Sequence, residues 1–295
     1  MNPFNLDPLP PRSPAAGPSS PEPLERRERF DRSAFQRDFC QRSEAVAGRW
    51  RALLVGNSRW HWATFRRDRL IDTWDGEPWH GELEATSSNA GPIAAASVVP
   101  AVTGQLQILA QGGAAIYPIP LAAIPLHDLY GSLGIDRAIA LWGAGRVHGF
   151  PVLVIDAGTA LTLSAADGDR HFLGGAILPG FGLQLRALAE GTAALPPLTV
   201  PRSGFDDLPP RFATDTATAI LSGVGYGLAA VLRDRVAEWR SRFPTGAVVL
   251  TGGDGAALRQ FLRAGEELPG PAIALDPHLW RWGLRELVYP EPPRP

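Results

Sequence analysis

A single cysteine, Cys40, stands in 295 residues. That excludes an intrachain disulfide and leaves no thiolate set for a zinc site. The six histidines fall at no paired metal-ligand spacing. Charge of one sign is also missing: 28 Lys and Arg face 30 Asp and Glu, for a formal net charge of −2. Such a chain has no sequence-independent grip on nucleic acid phosphates. No apolar run approaches the ~18 residues of a membrane span, and the N-terminus lacks the short apolar core of a secretory signal. These absences lead us to expect a cytoplasmic protein with neither nucleic acid nor membrane as partner.

What is present suffices for a sizeable core. The chain is 45% apolar and 20% charged, long enough for two modest domains. Residues 1–23, "MNPFNLDPLPPRSPAAGPSSPEP", are dense in proline and serine and are expected to be disordered. The following "LERRERFDRSAFQRDFCQRSEAVAG" has the makings of a charged helix, with Leu24, Ala34, Phe35 and Phe39 loosely on one side.

From Arg51 the pattern becomes regular. "RALLV", "GNSR" and "WHWATF" read as strand, turn and strand, with Trp60 and Trp62 on one face. About one hundred residues later "PVLVI", "DAGT" and "ALTLSAA" repeat that design, and "DGDR" turns into a third strand, "HFLGG". Helices are expected in "SVVPAVTGQLQILA", from Asp136 to about Gly145, in "FGLQLRALAEG", in the long run from an Asp or Thr cap to Pro244, and in "HLWRWGLRELV". "GAVVLTGGDG" reads as a buried strand ending in glycines. Within the long run Gly223 and Gly227 lie four apart, leaving one face bare enough for close packing. Alternating strands and helices with a duplicated hairpin give an α/β fold of two ribonuclease-H-like domains around a central cleft. The boundaries are residues 1–49 for a disordered or charged N-terminal extension, 50–149 for the first domain and 150–295 for the second.

Three turns carry the chemistry. In "DAGT", Gly158 lets backbone N–H groups approach a phosphate, Thr159 adds a hydroxyl, and Asp156 supplies a negative charge suited to an accompanying cation. An ordinary Asp-Gly hairpin turn would look the same. "GNS" at Gly56, Asn57 and Ser58 occupies the equivalent place in the first hairpin, and the bare backbone of "TGGDG" could pass an adenine or ribose. A nucleotide held between two hairpin turns under a third glycine loop is the arrangement of the actin-like ATPase and sugar-kinase superfamily.

Within that superfamily the chain resembles the type III pantothenate kinases. The matching pieces run in family order: "GNS", "SVVP", "GIDR", "DAGTA", "GGAILPG", "TAALP", "DTATAILSGVGYG", "TGGDG" and "DPHLWRWGL". The resemblance implies ATP-dependent phosphorylation of pantothenate to 4′-phosphopantothenate, the first step of coenzyme A synthesis. It implies Mg²⁺ with the ATP, a monovalent cation such as K⁺, and a homodimer with its active site near the subunit interface. Asp136 matches the catalytic base, and Gly134, Ile135, Asp136 and Arg137 the pantothenate-binding loop. Arg137 suits the substrate carboxylate; a helix cap with a surface ion pair is the bland alternative for this Asp–Arg pair. Thr192 matches a substrate contact, or is simply a cap or turn residue. Gly56, Asn57, Ser58, Arg59, Gly158 and Thr159 match the ATP side, and Asp156 the metal site.

The expected chemistry is consistent with these roles, since phosphoryl transfer to an alcohol needs alignment and neutralised charge more than a strong base. Full prior deprotonation of an alcohol by an Asp would span roughly 12 pKa units, or ~16 kcal/mol. Asp136 is therefore expected to orient the hydroxyl and take its proton as the bond to phosphorus forms.

Two positions depart from the family pattern. The family pattern usually has an acid two residues before the first turn glycine, a carboxylate expected to help hold Mg²⁺; this chain has Leu54 there. The family's tyrosine seven residues before the "GxDR" glycine is His127 here, with Tyr130 nearby; His127 reads as a polar surface residue. The rival functions are a kinase-like binding protein that lost turnover at Leu54 and serves regulation, and a sugar kinase or phosphate hydrolase of the same superfamily.

Overall fold

The computed structural model describes residues 30–76, 91–265, 268 and 270–290. The stretch 1–23, expected to be disordered, lies outside them. Two five-stranded sheets organise the chain. The first contains β1 (Arg49–Val55), β2 (Trp60–Arg66), β3 (Arg69–Gly76), β4 (Ile93–Ser97) and β5 (Ile116–Pro118) in the order β3-β2-β1-β4-β5. The second contains β6 (Val152–Ala157), β7 (Ala160–Ala166), β8 (Phe172–Pro179), β9 (Ala247–Thr251) and β10 (Ala274–Leu275) in the order β10-β9-β6-β7-β8. Read from their opening strands the orders are the same. In each, an antiparallel meander of three is followed by two parallel additions on the other side of the first strand. This is the α/β ribonuclease-H-like plan built twice.

Among the described residues seven α-helices accompany the sheets: α1 (Arg32–Glu44), α2 (Pro100–Gln111), α3 (Ile135–His148), α4 (Phe181–Gly191), α5 (Thr216–Arg242), α6 (Gly255–Arg263) and α7 (Leu279–Val288). Helix α1 lies in the stretch read as an extension, yet it docks on the first sheet. Phe39 is fully buried edge-on against Trp50, which in turn stacks on Phe65 with centroids 4.4 Å apart. Burying rings of this size contributes about 2–3 kcal/mol each, which is what a helix with so little apolar surface needs to stay in place.

Helix α3 is buried along ten of its fourteen residues. It contacts strands of both sheets and crosses α7 most extensively. The crossing is possible because Gly143 and Gly283 face each other. A Cβ on Gly143 would strike the Leu279 carbonyl, and one on Gly283 the Ile139 carbonyl. Arg146 and the buried Glu286 pair across the same contact at 2.8 Å. Among the described residues α5 is the one helix long and apolar enough to cross a membrane, a run the sequence reading passed over. Its Ile220, Val224, Leu228, Leu232 and Val236 are spent on the second core, against β6, β9 and α6.

Candidate active site

The turn between β1 and β2 holds Gly56, Asn57, Ser58 and Arg59; that between β6 and β7 holds Gly158 and Thr159. Each is closed by a glycine N–H donating across the turn, Gly56 to the Arg59 carbonyl at 2.9 Å and Gly158 to the Ala160 carbonyl at 3.2 Å. Asn57, Ser58, Arg59 and Thr159 are exposed at the tips. The two turns meet: Ser58 Oγ lies 3.1 Å from Thr159 Oγ1. Hydroxyls and open backbone N–H groups from both sheets therefore converge on one point, the chemistry that phosphate oxygens seek.

Behind this point lies Asp156, at the carboxyl end of β6. Desolvation pushes its carboxyl up to about 7, and the negative charge of Asp136 adds to the shift. The shared field puts the two acids in one neighbourhood. Asp136 is in the first turn of α3, whose cap is Gly134, and its Oδ1 accepts the Arg137 N–H at 2.8 Å. Burial raises its pKa as well. An acid lifted toward neutrality is better matched to receiving a proton at physiological pH.

Arg137 turns away from Asp136. Its buried guanidinium donates from Nε to Ser164 Oγ at 3.1 Å, from one terminal nitrogen to Tyr130 Oη at 3.1 Å and from the other to the Leu163 carbonyl at 2.9 Å. A surface Asp–Arg pair is thus not what forms. Three of the five guanidinium N–H groups are engaged within the chain by these bonds. Tyr130 and Ser164, neither of them assigned to the site from sequence, are the residues that hold it.

Thr192 is not brought to this place. It caps α4, and its hydroxyl donates to the Leu188 carbonyl at 2.8 Å, the cap reading. The opposite end of α4 is the one near the turns, where Gly180 N–H donates to the Thr159 carbonyl at 2.9 Å. Eleven helical residues separate the two ends by about 16 Å.

The third glycine turn leans directly on the second. Gly252, at φ +88°, comes so close that a Cβ would sit 2.5 Å from Asp156 Oδ1 and from the Ala157 carbonyl; both the backbone angle and the contact require glycine. Asp254 follows, with its N–H on the Ala157 carbonyl at 2.9 Å and its Oδ2 accepting from Gly182 N–H at 3.4 Å. Burial raises this carboxyl too. Sequence reasoning used "TGGDG" only for its bare backbone and passed over Asp254, although an acid between glycines ahead of a helix was the available signal.

Leu54 is buried in β1, at the place Asp156 holds in β6. His127 is exposed and bridges to His171 beside the β7–β8 turn. Among the described residues no group of three or more His, Cys, Asp or Glu could by itself hold a metal ion. A cleft of about 540 Å³ between α1 and the end of α7, lined by Gln36, Arg37, Cys40 and Tyr289 among others, shares no residue with the turns.

A family model described as type III pantothenate kinase matches residues 52–238. A type III pantothenate kinase of Nostoc sp. is 42% identical over 274 residues, covering 84% of this chain and 97% of its own length. Its counterpart in Synechococcus elongatus is 43% identical over 251 residues, covering 80% and 95%. Among solved structures, a Baf family transcriptional activator from Campylobacter jejuni superposes with a TM-score of 0.52 at 20% identity, covering 81% of this chain and 96% of its own, which speaks to the fold alone.

Proposed function

Since the chain belongs to the type III pantothenate kinase family, phosphotransferases acting on pantothenate in coenzyme A biosynthesis, we propose that the junction of its two hairpin turns is where ATP is held for that transfer. The observation that carries this reading is the 3.1 Å approach of Ser58 and Thr159 beside the Asp136–Asp156 pair. Gly56, Asn57, Ser58 and Arg59 from one side, with Gly158 and Thr159 from the other, face the phosphates.

Asp136 aligns the pantothenate hydroxyl and takes its proton as the new bond to phosphorus forms. The segment Gly134 to Arg137 positions the acceptor, with the two remaining guanidinium N–H groups directed at its carboxylate. Thr192, one helix-length away, belongs to this reading only as a contact at a shared subunit face.

The donor set fits a cation held with the nucleotide better than one caged by protein. Mg²⁺ commonly takes one or two carboxylates and completes its shell with water and phosphate oxygens. Asp156 is the carboxylate on offer, and its desolvation is relieved by a nearby positive charge. A cation there, Mg²⁺ with ATP or K⁺ beside it, would supply neutralisation of phosphate charge.

We assign the two halves, 50–149 and 150–295, to two domains closing on the substrates. A homodimer accords with the open faces of Gly223 and Gly227 on α5, where a Cβ would meet no other part of the described residues within 4 Å. A cytoplasmic location accords with coenzyme A synthesis.

A coupled assay with ATP, pantothenate, and varied Mg²⁺ and K⁺ tests the whole. Formation of 4′-phosphopantothenate dependent on both cations is the expected result. Folded protein that binds pantothenate but yields no product at any Mg²⁺ concentration would favour the impaired binding protein, the reading that the buried Leu54 motivates.

A further inference from the structure

Leu54 stands in the first sheet where the second has Asp156, and a polar pair lies on the strands beside it. Leu54 pairs with His61 on β2, and His61 pairs with Asp75 on β3. Residues directly opposed on antiparallel strands point to the same face, so the three form one row across the mouth of the first turn. The His61 ring is fixed from behind, with Nδ1 2.8 Å from Asp75 Oδ1. Its other nitrogen, Nε2, lies 4.0 Å from where a Cβ on Gly56 would stand, beside the turn itself. About a third of the His61 side chain is open to solvent, so a ligand can reach it. The remaining groups around the pair are Arg59, 3.6 Å from Asp75 Oδ2, the Trp280 ring 6.0 Å from His61, and Arg281, whose charge is felt from α7.

We propose that His61 contacts a phosphate of the bound nucleotide through Nε2–H, and that Asp75 is the positioning residue that aims it. The inference rests on the nucleotide reading given above. The Asp75 carboxylate on one side and a phosphate on the other present acceptors to the two ring nitrogens, and an imidazole held between two such acceptors donates to both when it is an imidazolium. The second sheet supplies a carboxylate at this level, Asp156. The first sheet supplies apolar Leu54 with a donor beside it, so charge there is neutralised by protein N–H rather than by a carboxylate-held cation. A hard cation such as Mg²⁺ prefers oxygen ligands, which sets His61 on the phosphate rather than on the metal.

The test compares His61→Leu, His61→Gln and Asp75→Asn with Ser58→Ala/Thr159→Val, reading KM for ATP and for pantothenate, with calorimetric binding of ADP and of adenosine. His61→Leu is expected to raise KM for ATP and Kd for ADP roughly tenfold, the weight of one charge-assisted hydrogen bond. Adenosine binding and KM for pantothenate should stay within about twofold, inside the reach of surface substitutions. His61→Gln, which keeps an N–H donor, should recover most of the loss, and Asp75→Asn should fall between. Wild-type ATP and ADP values in His61→Leu, while Ser58→Ala/Thr159→Val raises them, would overturn the role of His61 and leave the nucleotide reading standing. Equal weakening of adenosine and ADP would also overturn it, as would an inverted Mn²⁺-over-Mg²⁺ preference lost with the imidazole. If Ser58→Ala/Thr159→Val changes no nucleotide affinity, the nucleotide reading itself fails. Thermal melts identify any variant that is merely unfolded, in which case His61→Gln and Asp75→Asn decide.

Discussion

The hydroxyl of Ser58 lies 3.1 Å from that of Thr159 although 101 residues separate them in sequence. Each belongs to the tip of a hairpin opening one of the two sheets, so their meeting fixes how the sheets face each other at the site.

Removing both hydroxyls, by Ser58→Ala with Thr159→Val, should raise KM for ATP and leave KM for pantothenate near its starting value. A hydrogen bond to a charged group is worth about 1.5–3 kcal/mol, so losing one corresponds to roughly ten- to hundredfold in ATP affinity and losing both to more. Steady-state kinetics with each substrate varied in turn provides the check.

Asp136→Asn should fold and bind both substrates yet turn over slowly. A positioned general base contributes roughly 10²–10⁴-fold, so kcat should fall by that range while calorimetric affinities hold. A variant with wild-type kcat would remove Asp136 from its role.

The pH behaviour of the cation-free protein follows from Asp156. Its carboxyl is raised from the ordinary 3.8 to about 7 by desolvation, then by Asp136. A raised acid is held protonated by the native state, so its stabilising contribution is complete below pH ~4 and is lost as pH climbs through about 7. Without added Mg²⁺ or K⁺, the Tm component due to this group should decline between about pH 4 and pH 7 and level off above. Asp156→Asn should flatten that slope, and saturating cation should oppose it. An unchanged slope in Asp156→Asn would assign it to other groups.

Arg137 joins α3 to β7 through Ser164 and Leu163, and to Tyr130. Arg137→Met should cost about 2–4 kcal/mol by leaving those partners unsatisfied in a buried place. Tyr130→Phe removes one hydrogen bond, about 1 kcal/mol, and should raise KM for pantothenate more than that for ATP. Urea unfolding and substrate kinetics on the two variants separate the structural share from the binding share.

Much of this was legible because strong local signals coincided with the global fold. The two opening hairpins, α4 and α5 announced themselves through apolar runs closed by glycines or capped by Asp215. The expected helix from Asp136 to about Gly145 runs from Ile135 to His148, since nothing stops it until Gly149 at φ +90°. Other elements gave less warning. Strand β3 is an edge strand with mostly exposed side chains, so it shows no alternation to read. β10 has two residues and exists only because β9 is there to pair with it. Helix α6 carries its periodicity in Ala257, Leu258, Phe261 and Leu262, directly behind glycines that read as a strand ending. In the site, the resemblance put forward Asp136 and the turn chemistry Asp156, but the inward turn of Arg137 depends on Tyr130 and Ser164 from other elements. No spacing in "GIDR" encodes that.

The crossing of α3 and α7 at Gly143 and Gly283 ties the helix that carries Asp136 to the last helix of the described chain. On a ribosome, the sheets and Asp136 emerge well before Val288 does. The helix bearing Asp136 therefore waits for its clamp, and a nascent chain halted short of α7 would own every residue proposed for the transfer while lacking the brace that holds α3.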